Sequence, residues 1–174
     1  MQTWRKGAAS QGIIPVNARG NKGTDAMEKT LTPRIRAAQA ADLPFIHDIE
    51  SKSFREPYPS SLITTLYKKH PKTFLVAENK GQVVGYVIAS TFKNRAHVAS
   101  IAVTPYARRK KVGYTLLHQL LQVLKDRRAH TVRLEVRQSN KIAQQFYEQL
   151  GFQYSHTVTG YYPDEDGLVY FKGL

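Results

Sequence analysis

The sequence predicts an α/β domain with one central, mixed, mostly antiparallel and twisted sheet of seven strands flanked by four helices. Short β-branched runs alternate with segments in which leucine or isoleucine recurs at helical spacing, in the order β-α-α-β-β-β-α-β-α-β-β. Asn79-Lys80-Gly81-Gln82 has the composition of a hairpin turn, so the strands beside it are antiparallel. No repeat or second boundary interrupts this order, and 174 residues fit one core.

The first part of the domain is expected to contain a strand and two helices. They are a strand over 34–38, a helix from 42 to 54 that begins near Pro44, and a helix over 60–69 with Leu62, Ile63 and Leu66 facing inward. The segment Arg55-Glu56-Pro57-Tyr58-Pro59 separates the two helices, because a residue that precedes proline avoids the helical conformation.

The remaining elements follow in a regular order. A meander of three strands is expected over 73–78, 83–92 and 96–103, with Gly85 at a bulge. Five leucines between residues 116 and 124 mark the apolar face of a third helix, and a strand follows over 131–136. Asn140 caps a fourth helix that Gly151 ends, and two last strands lie near 152–159 and 168–172.

Composition narrows the class of protein. The chain has no cysteine, which excludes disulfides, thiolate metal sites and a cysteine nucleophile and fits a cytoplasmic protein. No apolar run reaches the ~20 residues that a membrane-spanning helix needs, so a membrane role is not expected. The formal net charge of +13 favours polyanionic partners such as ribosomes, nucleic acid or a phosphorylated cofactor. The alternative is that most of these cations only keep the surface solvated.

Residues 1–33 differ from the rest of the chain. Four cations precede the first acid, Asp25, and glycine and polar residues are scattered without apolar periodicity. We interpret this segment as a flexible basic extension or a remnant of an expression vector. An organellar targeting peptide is an alternative, although the sustained amphipathic pattern of such peptides is missing. The folded domain is expected over residues 34–174.

The turn between the strand that ends at Val103 and the third helix is the most informative stretch. Four consecutive cations, Arg108 to Lys111, come directly before Val112 and Gly113. The first N–H groups of a helix have no intrahelical partner, and the helix dipole adds partial positive charge there. Together with the cations they form a site for a phosphate-rich anion. A solvated basic connector is the alternative.

This stretch resembles the acetyl-CoA motif of the GNAT N-acetyltransferases, through Ser100-Ile101-Ala102-Val103, Pro105, Arg108–Gly113 and Leu116-Leu117. Two further matching motifs follow, namely Leu134–Asn140 with Ala143 and Phe146–Phe152, and Gly160-Tyr161-Tyr162-Pro163. Together they resemble the N-terminal protein acetyltransferases, both the ribosomal-protein alanine acetyltransferases and the archaeal relatives of the NatA catalytic subunit. The resemblance covers Arg34 to the C-terminus. It implies the GNAT fold and direct transfer from acetyl-CoA to a protein α-amine.

The resemblance also implies which residues bind acetyl-CoA. Backbone groups of Ile101 and Val103 would face the acetyl carbonyl and the pantetheine amides, with one N–H stabilising the developing oxyanion. Asn140 would contact the pantetheine arm as well as cap its helix. The implied set is Ile101, Ala102, Val103, Arg108, Arg109, Lys110, Lys111, Val112, Gly113, Tyr114, Asn140 and Tyr147.

Lys111 departs from the family pattern, which has glycine at this position. Glycine tolerates positive φ and lets the backbone approach a phosphate closely, whereas lysine costs steric freedom. Lysine keeps the backbone N–H and adds a charge. We therefore expect that acetyl-CoA still binds, with the Lys111 side chain directed outward or onto a phosphate.

Catalytic roles are likewise implied by the resemblance. Tyr147 would be the general acid that protonates the leaving thiolate, and core packing is the alternative. Glu56 and His97 would form a water-mediated pair that deprotonates the amine, since an unperturbed imidazole titrates near ~6.5. A surface carboxylate and a structural strand histidine are the alternatives, and Glu135 is a weaker candidate base. Tyr58, Tyr161 and Tyr162, with Glu56, would surround the first residues of the acceptor.

Two other functions compete with this hypothesis. One is a GNAT enzyme that acetylates lysine side chains or a small amine, which would accept peptides with blocked N-termini. The other is a nucleic-acid-binding or ribosome-binding protein that keeps the fold, which would show salt-dependent affinity without turnover. Basic charge could also bring the enzyme to nascent chains on ribosomes. No metal is expected, because the six histidines form no spaced ligand cluster with acids.

Overall fold

The computed structural model describes residues 31–174, so the interpretation of residues 1–33 as a basic extension falls outside the described part apart from its last three residues. The strands are β1 (Arg34–Ala37), β2 (Phe74–Asn79), β3 (Gln82–Phe92), β4 (Arg95–Val103), β5 (Thr131–Arg137), β6 (Gln153–Val158) and β7 (Gly167–Gly173). The helices are α1 (Leu43–Ser53), α2 (Ser60–Lys69), α3 (Val112–Asp126) and α4 (Lys141–Gln149). The predicted order of elements is confirmed.

The seven strands form one sheet in the order β1-β2-β3-β4-β5-β7-β6. Every neighbouring pair is antiparallel except β4 and β5, which are parallel because α3 crosses over between them. That parallel ladder covers only Arg95–His97 against Thr131–Arg133. Within residues 31–174, β4 forms no ladder with β5 beyond His97. The two strands therefore separate and open a cleft in the middle of the sheet, and the mixed α/β fold is confirmed.

Two irregularities shape β3 and its neighbours. The register with β2 shifts beside Gly85, where a bulge was expected, and a Cβ added at Gly85 would lie 2.9 Å from the carbonyl oxygen of Ala102. The register with β4 shifts so that Ile88 faces Ser100 while Ala89 faces Val98. Ala99 is thus an extra residue on β4 and has no partner in the β3 ladder. This second bulge was not predicted from the sequence.

Each face of the sheet buries its own apolar cluster. Leu116, Leu117, Leu120, Leu121 and Leu124 of α3 pack on one face together with α4 residues, and α1 and α2 cover the other face. Ile63 of α2 is buried there, but Leu62 is exposed and its predicted inward direction is wrong. Leu62 and Ile63 lie about 100° apart around the helix, and only the stripe through Ile63, Leu66 and Tyr67 reaches the sheet. No helix of the described part is long and apolar enough to cross a membrane.

Candidate active site

The basic turn between β4 and α3 has the backbone of an anion site. Arg109 and Lys111 have φ of 62° and 59°, and Lys111 is the N-cap of α3. A non-glycine residue in this left-handed region costs roughly 1–2 kcal/mol. Glycine adopts this conformation without cost, which explains why the resembling motif has glycine here. In this chain Lys111 adopts it instead, and its side chain is exposed.

Arg108 connects the basic turn to the end of β4 through a hydrogen bond. Arg108 is half-buried and donates Nε to the carbonyl oxygen of Val103 at 2.9 Å, and its burial lowers the pKa of the guanidinium. The N–H groups of the first turn of α3 begin at Val112. A Cβ added at Gly113 would lie 3.7 Å from the Phe146 ring and from a Val103 methyl, so glycine leaves space beside these donors. The cations, the helix start and this space fit a pyrophosphate.

The cleft between β4 and β5 holds a buried acid–imidazole pair. His97 is the last residue of β4 that pairs with β5, and its Nε2 lies 2.6 Å from Oε2 of Glu135. Glu135 is 1% exposed, and its other oxygen lies 2.6 Å from Nε of Arg133. Burial by itself raises the pKa of Glu135. The hydrogen bond from His97, the charges of His97 and Arg133 and a hydrogen bond from Tyr161 outweigh that effect, so the pKa of the carboxyl is lowered.

Tyr147 lies on α4 beside this pair. It is fully buried, and its ring packs edge-on against Phe146 and Phe152, at centroid distances of 5.3 and 5.8 Å. Burial, followed by the charges of Tyr162 and Glu135, raises the pKa of the phenol. Tyr147 therefore packs in the core and also keeps its proton at neutral pH next to Glu135. The structure brings together His97, Glu135, Tyr147, Tyr161 and Tyr162. Glu135, which was only a weaker candidate base from the sequence, contacts both His97 and Tyr161.

Asn140 begins α4 and acts as its N-cap, as expected. Its side-chain oxygen accepts a hydrogen bond from the backbone N–H of Ala143 at 3.1 Å. The N-terminus of α4 thus follows directly from the end of β5. Asn140 is half-buried at this position.

Arg137 at the end of β5 organises the opposite rim of the cleft. Its guanidinium lies 4.2 Å from the centroid of the Tyr162 ring, and the side chain is 6% exposed. It forms ion pairs with Asp164, with Glu165 at 2.8 Å and with Glu56 at 3.6 Å. The side chain of Glu56 is half-exposed. The expected partners His97 and Glu56 thus have different contacts, with Glu135 and Arg137 respectively.

Tyr161 and Tyr162 form the inner part of this rim. Both are buried, and their rings pack edge-on with centroids 5.0 Å apart. A Cβ added at Gly167 would lie 2.7 Å from Tyr161, so β7 must pass close to this ring. The two tyrosines are therefore held in a fixed arrangement beside Glu135 and Tyr147.

Tyr58 faces the cleft side of β4 from the segment between α1 and α2. Its hydroxyl donates to the carbonyl oxygen of Ala99 at 3.2 Å, and its backbone N–H donates to Oε1 of Glu50 at 2.9 Å. Glu50 is completely buried and also accepts from Ser100 and Tyr86. Burial raises the pKa of Glu50 to about 7, against the opposing hydrogen bonds from Tyr58 N–H and Ser100.

The contacts of Glu50 and Arg137 were not predicted from the sequence. For Glu50 a signal existed, because Glu50 follows Ile46 by four residues and Ile49 by one, on the buried face of α1. Arg137 carries no comparable signal, since a strand-end arginine is ordinarily solvated.

Within residues 31–174, no cluster of three or more metal-ligating side chains is present. The sheet opens at one parallel strand pair, the basic turn is suited to pyrophosphate, and titratable groups lie in the cleft. These features fit a group transferase with a phosphorylated cosubstrate. Residues 43–152 match the sequence profile of the family described as "Acetyltransferase (GNAT) family". The chain belongs to this family and is an acetyl-CoA-dependent acyltransferase.

Relatives in three organisms are similar over most of the domain. The chain is 34% identical over 150 residues to an N-alpha-acetyltransferase of Sulfurisphaera tokodaii, covering 78% of this chain and 90% of the relative. It is 31% identical over 133 residues to the ribosomal protein bS18-alanine N-acetyltransferase of Escherichia coli K12, covering 76% and 89%. The crystal structure of Ard1 from Thermoplasma volcanium superposes with a TM-score of 0.79 at 29% identity, covering 82% and 97%.

Proposed function

We propose that the protein is an N-terminal protein acetyltransferase, which moves the acetyl group of acetyl-CoA directly to the α-amine of a protein or peptide. The observation that carries this proposal is the buried His97–Glu135 pair beside Tyr147, in the cleft where β4 and β5 separate. The His97–Glu135 pair can accept the proton of an amine, and Tyr147 can protonate a leaving thiolate. The relatives named N-alpha-acetyltransferase and ribosomal protein bS18-alanine N-acetyltransferase support an α-amine as the acceptor.

The donor side is formed by the basic turn and the strand before it. The residues from Arg108 to Tyr114 hold the pyrophosphate through their backbone N–H groups and cations, and Lys111 extends outward or onto a phosphate. Ile101, Ala102 and Val103 supply backbone along the cleft, and Asn140 adds a polar contact for the pantetheine arm. Acetyl-CoA, when bound, supplies an acetyl group activated as a thioester.

Proton transfer follows from the charge states of the cleft residues. As the amine nitrogen forms its bond to the acetyl carbon, the carbon–sulfur bond breaks. The amine proton leaves through water to His97, and the ionised Glu135 orients the ring and stabilises its charged form. Tyr147 keeps its proton until the thiolate takes it. Because the pKa of Glu135 is lowered and that of Tyr147 is raised, neutral pH places both in the required form.

The acceptor enters from the rim opposite the basic turn. Tyr58, Tyr161 and Tyr162 surround the first residues of the peptide, and the half-exposed carboxylate of Glu56 attracts and orients its α-ammonium group. Arg137 holds Glu56 and Tyr162 in one cluster. This arrangement suits an extended N-terminus better than a folded surface, because the groups lie at the end of a cleft.

Turnover of acetyl-CoA on a library of free N-terminal peptides tests the proposed function. Matched Nα-blocked peptides, each containing an internal lysine, serve as controls. We expect mass spectrometry to find one acetyl group on the α-amine of the free peptides and none on the blocked ones. Equal acetylation of blocked peptides would replace this function with lysine acetylation, and turnover on small amines alone would indicate a small-molecule acetyltransferase.

We further propose that the enzyme works in the cytoplasm and meets nascent chains at the ribosome. Five exposed cations lie at the end of the sheet away from the basic turn, and we name them the basic edge: Lys93, Arg95, Lys125, Arg127 and Arg128. The backbone N–H of His130 donates to the carbonyl oxygen of Asn94 at 2.7 Å, which holds the two loops of the basic edge together. Among the described residues, none of these five cations has an ion-pair partner.

Ribosome co-sedimentation tests this partner. Arg127→Glu with Arg128→Glu should weaken salt-dependent co-sedimentation, whereas the matched control Lys68→Glu with Lys69→Glu on α2 should not. A third variant, which lacks residues 1–30, measures how much the N-terminal segment contributes to co-sedimentation. Equal co-sedimentation of all variants would remove the ribosome from the proposal.

A further inference from the structure

The segment between α1 and α2 offers one backbone donor where it approaches the sheet. Pro57 and Pro59 have no N–H, so Tyr58 carries the only backbone N–H among residues 57–59. That N–H donates to Oε1 of Glu50, eight residues earlier on α1, at 2.9 Å. Glu50 is therefore the acceptor that binds the main chain of this segment at Tyr58.

Glu50 connects this segment to two strands of the sheet. Its Oε2 accepts a hydrogen bond from Ser100 Oγ on β4 at 3.0 Å and another from the Tyr86 hydroxyl on β3. The Tyr86 and Ser100 hydroxyls also lie 2.9 Å apart. A buried carboxylate is costly unless it is hydrogen-bonded, and here three donors from three separate elements compensate. Two of these donors lie on strands of the sheet, and the third, the N–H of Tyr58, lies in the segment between α1 and α2.

A second contact fixes the same tyrosine from its other end. The Tyr58 hydroxyl donates to the carbonyl oxygen of Ala99 at 3.2 Å. Ala99 is the extra residue of the β4 bulge, so its backbone lies outside the β3 ladder and is available to Tyr58. Ala99 directly precedes Ser100, which binds Glu50. The hydroxyl of Tyr58 thus contacts this short stretch of β4 directly, and its main chain is connected to the same stretch through Glu50.

We propose that Glu50 is a positioning residue for the acceptor peptide. It holds Tyr58, and with Tyr58 the neighbouring Glu56, in register with the stretch of β4 that continues into Ile101–Val103. Glu50 touches no substrate itself, and the inference rests on the proposed function because it assigns this segment to peptide binding. Its loss should weaken use of the peptide while leaving the acetyl-CoA side unchanged.

Hydrogen exchange of the Tyr58 amide tests the hydrogen bond to Glu50 independently of enzyme turnover. In protein labelled with ¹⁵N-tyrosine, Glu50→Ala should exchange the Tyr58 amide proton about ten- to a hundredfold faster than the wild type, as expected when a buried donor loses its hydrogen bond. Glu50→Gln keeps an Oε1 acceptor and should retain most of the protection. Asp48→Asn, an exposed position on the same helix, is the matched control and should not change exchange.

Steady-state kinetics with both substrates test the consequence for the reaction. Glu50→Ala should lower kcat/KM for the peptide by about tenfold or more and leave the KM for acetyl-CoA within about twofold, with Glu50→Gln in between. Tyr58→Phe removes the contact with Ala99 but keeps the backbone N–H, and it should produce a smaller change in the same direction. Where Glu50→Ala does not fold, Glu50→Gln and Tyr58→Phe carry the test.

Three outcomes separate the hypotheses. Unchanged Tyr58 exchange together with unchanged peptide kcat/KM in the folded variants would overturn the role of Glu50. Parallel losses for peptide and acetyl-CoA would also overturn it, because Glu50 would then act only on core stability. Faster Tyr58 exchange in Glu50→Ala, with no acetylation of any free N-terminus by the wild type, would refute the proposed function and the assignment of this segment to peptides, but not the hydrogen bond.

Discussion

His97 on β4 contacts Glu135 on β5 at 2.6 Å, immediately beyond the last rung of the parallel ladder between these strands. The ladder ends at His97 and Arg133, and Glu135 comes two residues later. This acid–imidazole pair therefore lies where the sheet opens, and a carboxylate that is 1% exposed still borders the cleft. This position shields the pair from bulk water and leaves it beside the cleft.

Removing either partner of this pair should slow the chemical step. Glu135→Gln keeps the shape and removes the charge, and we expect kcat to fall by about 10²–10⁴-fold, the usual contribution of general base catalysis. His97→Ala should fall within the same range. The measurement is kcat against pH, with Glu78→Gln, which faces Arg36 at the far edge of the sheet, as the control. Full turnover by His97→Ala across the whole profile would contradict the assignment.

Glu56 should act on acceptor binding rather than on proton removal. Its carboxylate is half-exposed and lies 3.6 Å from Arg137, outside the His97–Glu135 contact. We expect Glu56→Ala to raise the KM for the peptide several-fold while kcat changes less. A loss confined to kcat with a shifted pH profile would instead identify Glu56 as part of the base.

Tyr147→Phe should separate proton donation from packing. The ring remains between Phe146 and Phe152, so folding and acetyl-CoA affinity should change little. We expect kcat to fall by about 10²-fold, because the leaving thiolate loses its proton donor. Calorimetric binding of acetyl-CoA and steady-state kinetics measure the two effects, and an unchanged kcat would reduce Tyr147 to a packing residue.

Lys111 provides a test of the anion site. Lys111→Gly relieves the left-handed backbone, which costs roughly 1–2 kcal/mol for a non-glycine residue, but removes one cation. The strain is present with and without acetyl-CoA, so its relief acts on folding stability. The closer backbone approach that glycine allows should offset the lost cation and keep the Kd for acetyl-CoA within about threefold. Lys111→Ala keeps the strain without the charge and should bind more weakly. Many-fold tighter binding by Lys111→Gly would show that the lysine makes no compensating contact.

Glu50 should make stability depend on pH. Its pKa is raised from 4.5 to about 7 in the folded protein, so the unfolded chain releases the proton first as pH rises. The stabilisation from the protonated carboxyl is complete below about pH 4.5 and is lost as pH rises through about 7, by about 3 kcal/mol. Urea unfolding should show Glu50→Gln gaining on the wild type between pH 5 and 8. Asp48→Asn should follow the wild type, and parallel curves for Glu50→Gln would contradict the shift.

Much of the fold was predictable because its signals are local. Helical spacing in α3, the hairpin turn at Lys80 and Gly81, and the cap at Asn140 each depend on a few neighbouring residues. Prediction failed where tertiary packing decides which side chain of a helix faces the sheet. Leu62 was expected to face inward, but it is exposed and its neighbour Ile63 is buried instead. The bulge at Ala99 was not foreseen either, since a bulge is defined by the register of two strands and not by one.

The sequence by itself determined the order of elements, the basic turn before α3 and the place of Lys111 in that turn. These follow from local propensity, charge and helix-start chemistry, which act over a few residues. Only the tertiary structure decided that His97 pairs with Glu135, that Arg137 gathers Glu56 and Tyr162, and that Glu50 holds Tyr58. Such contacts join side chains far apart in the chain, and burial then sets their protonation, so strand pairing and desolvation decide the chemistry.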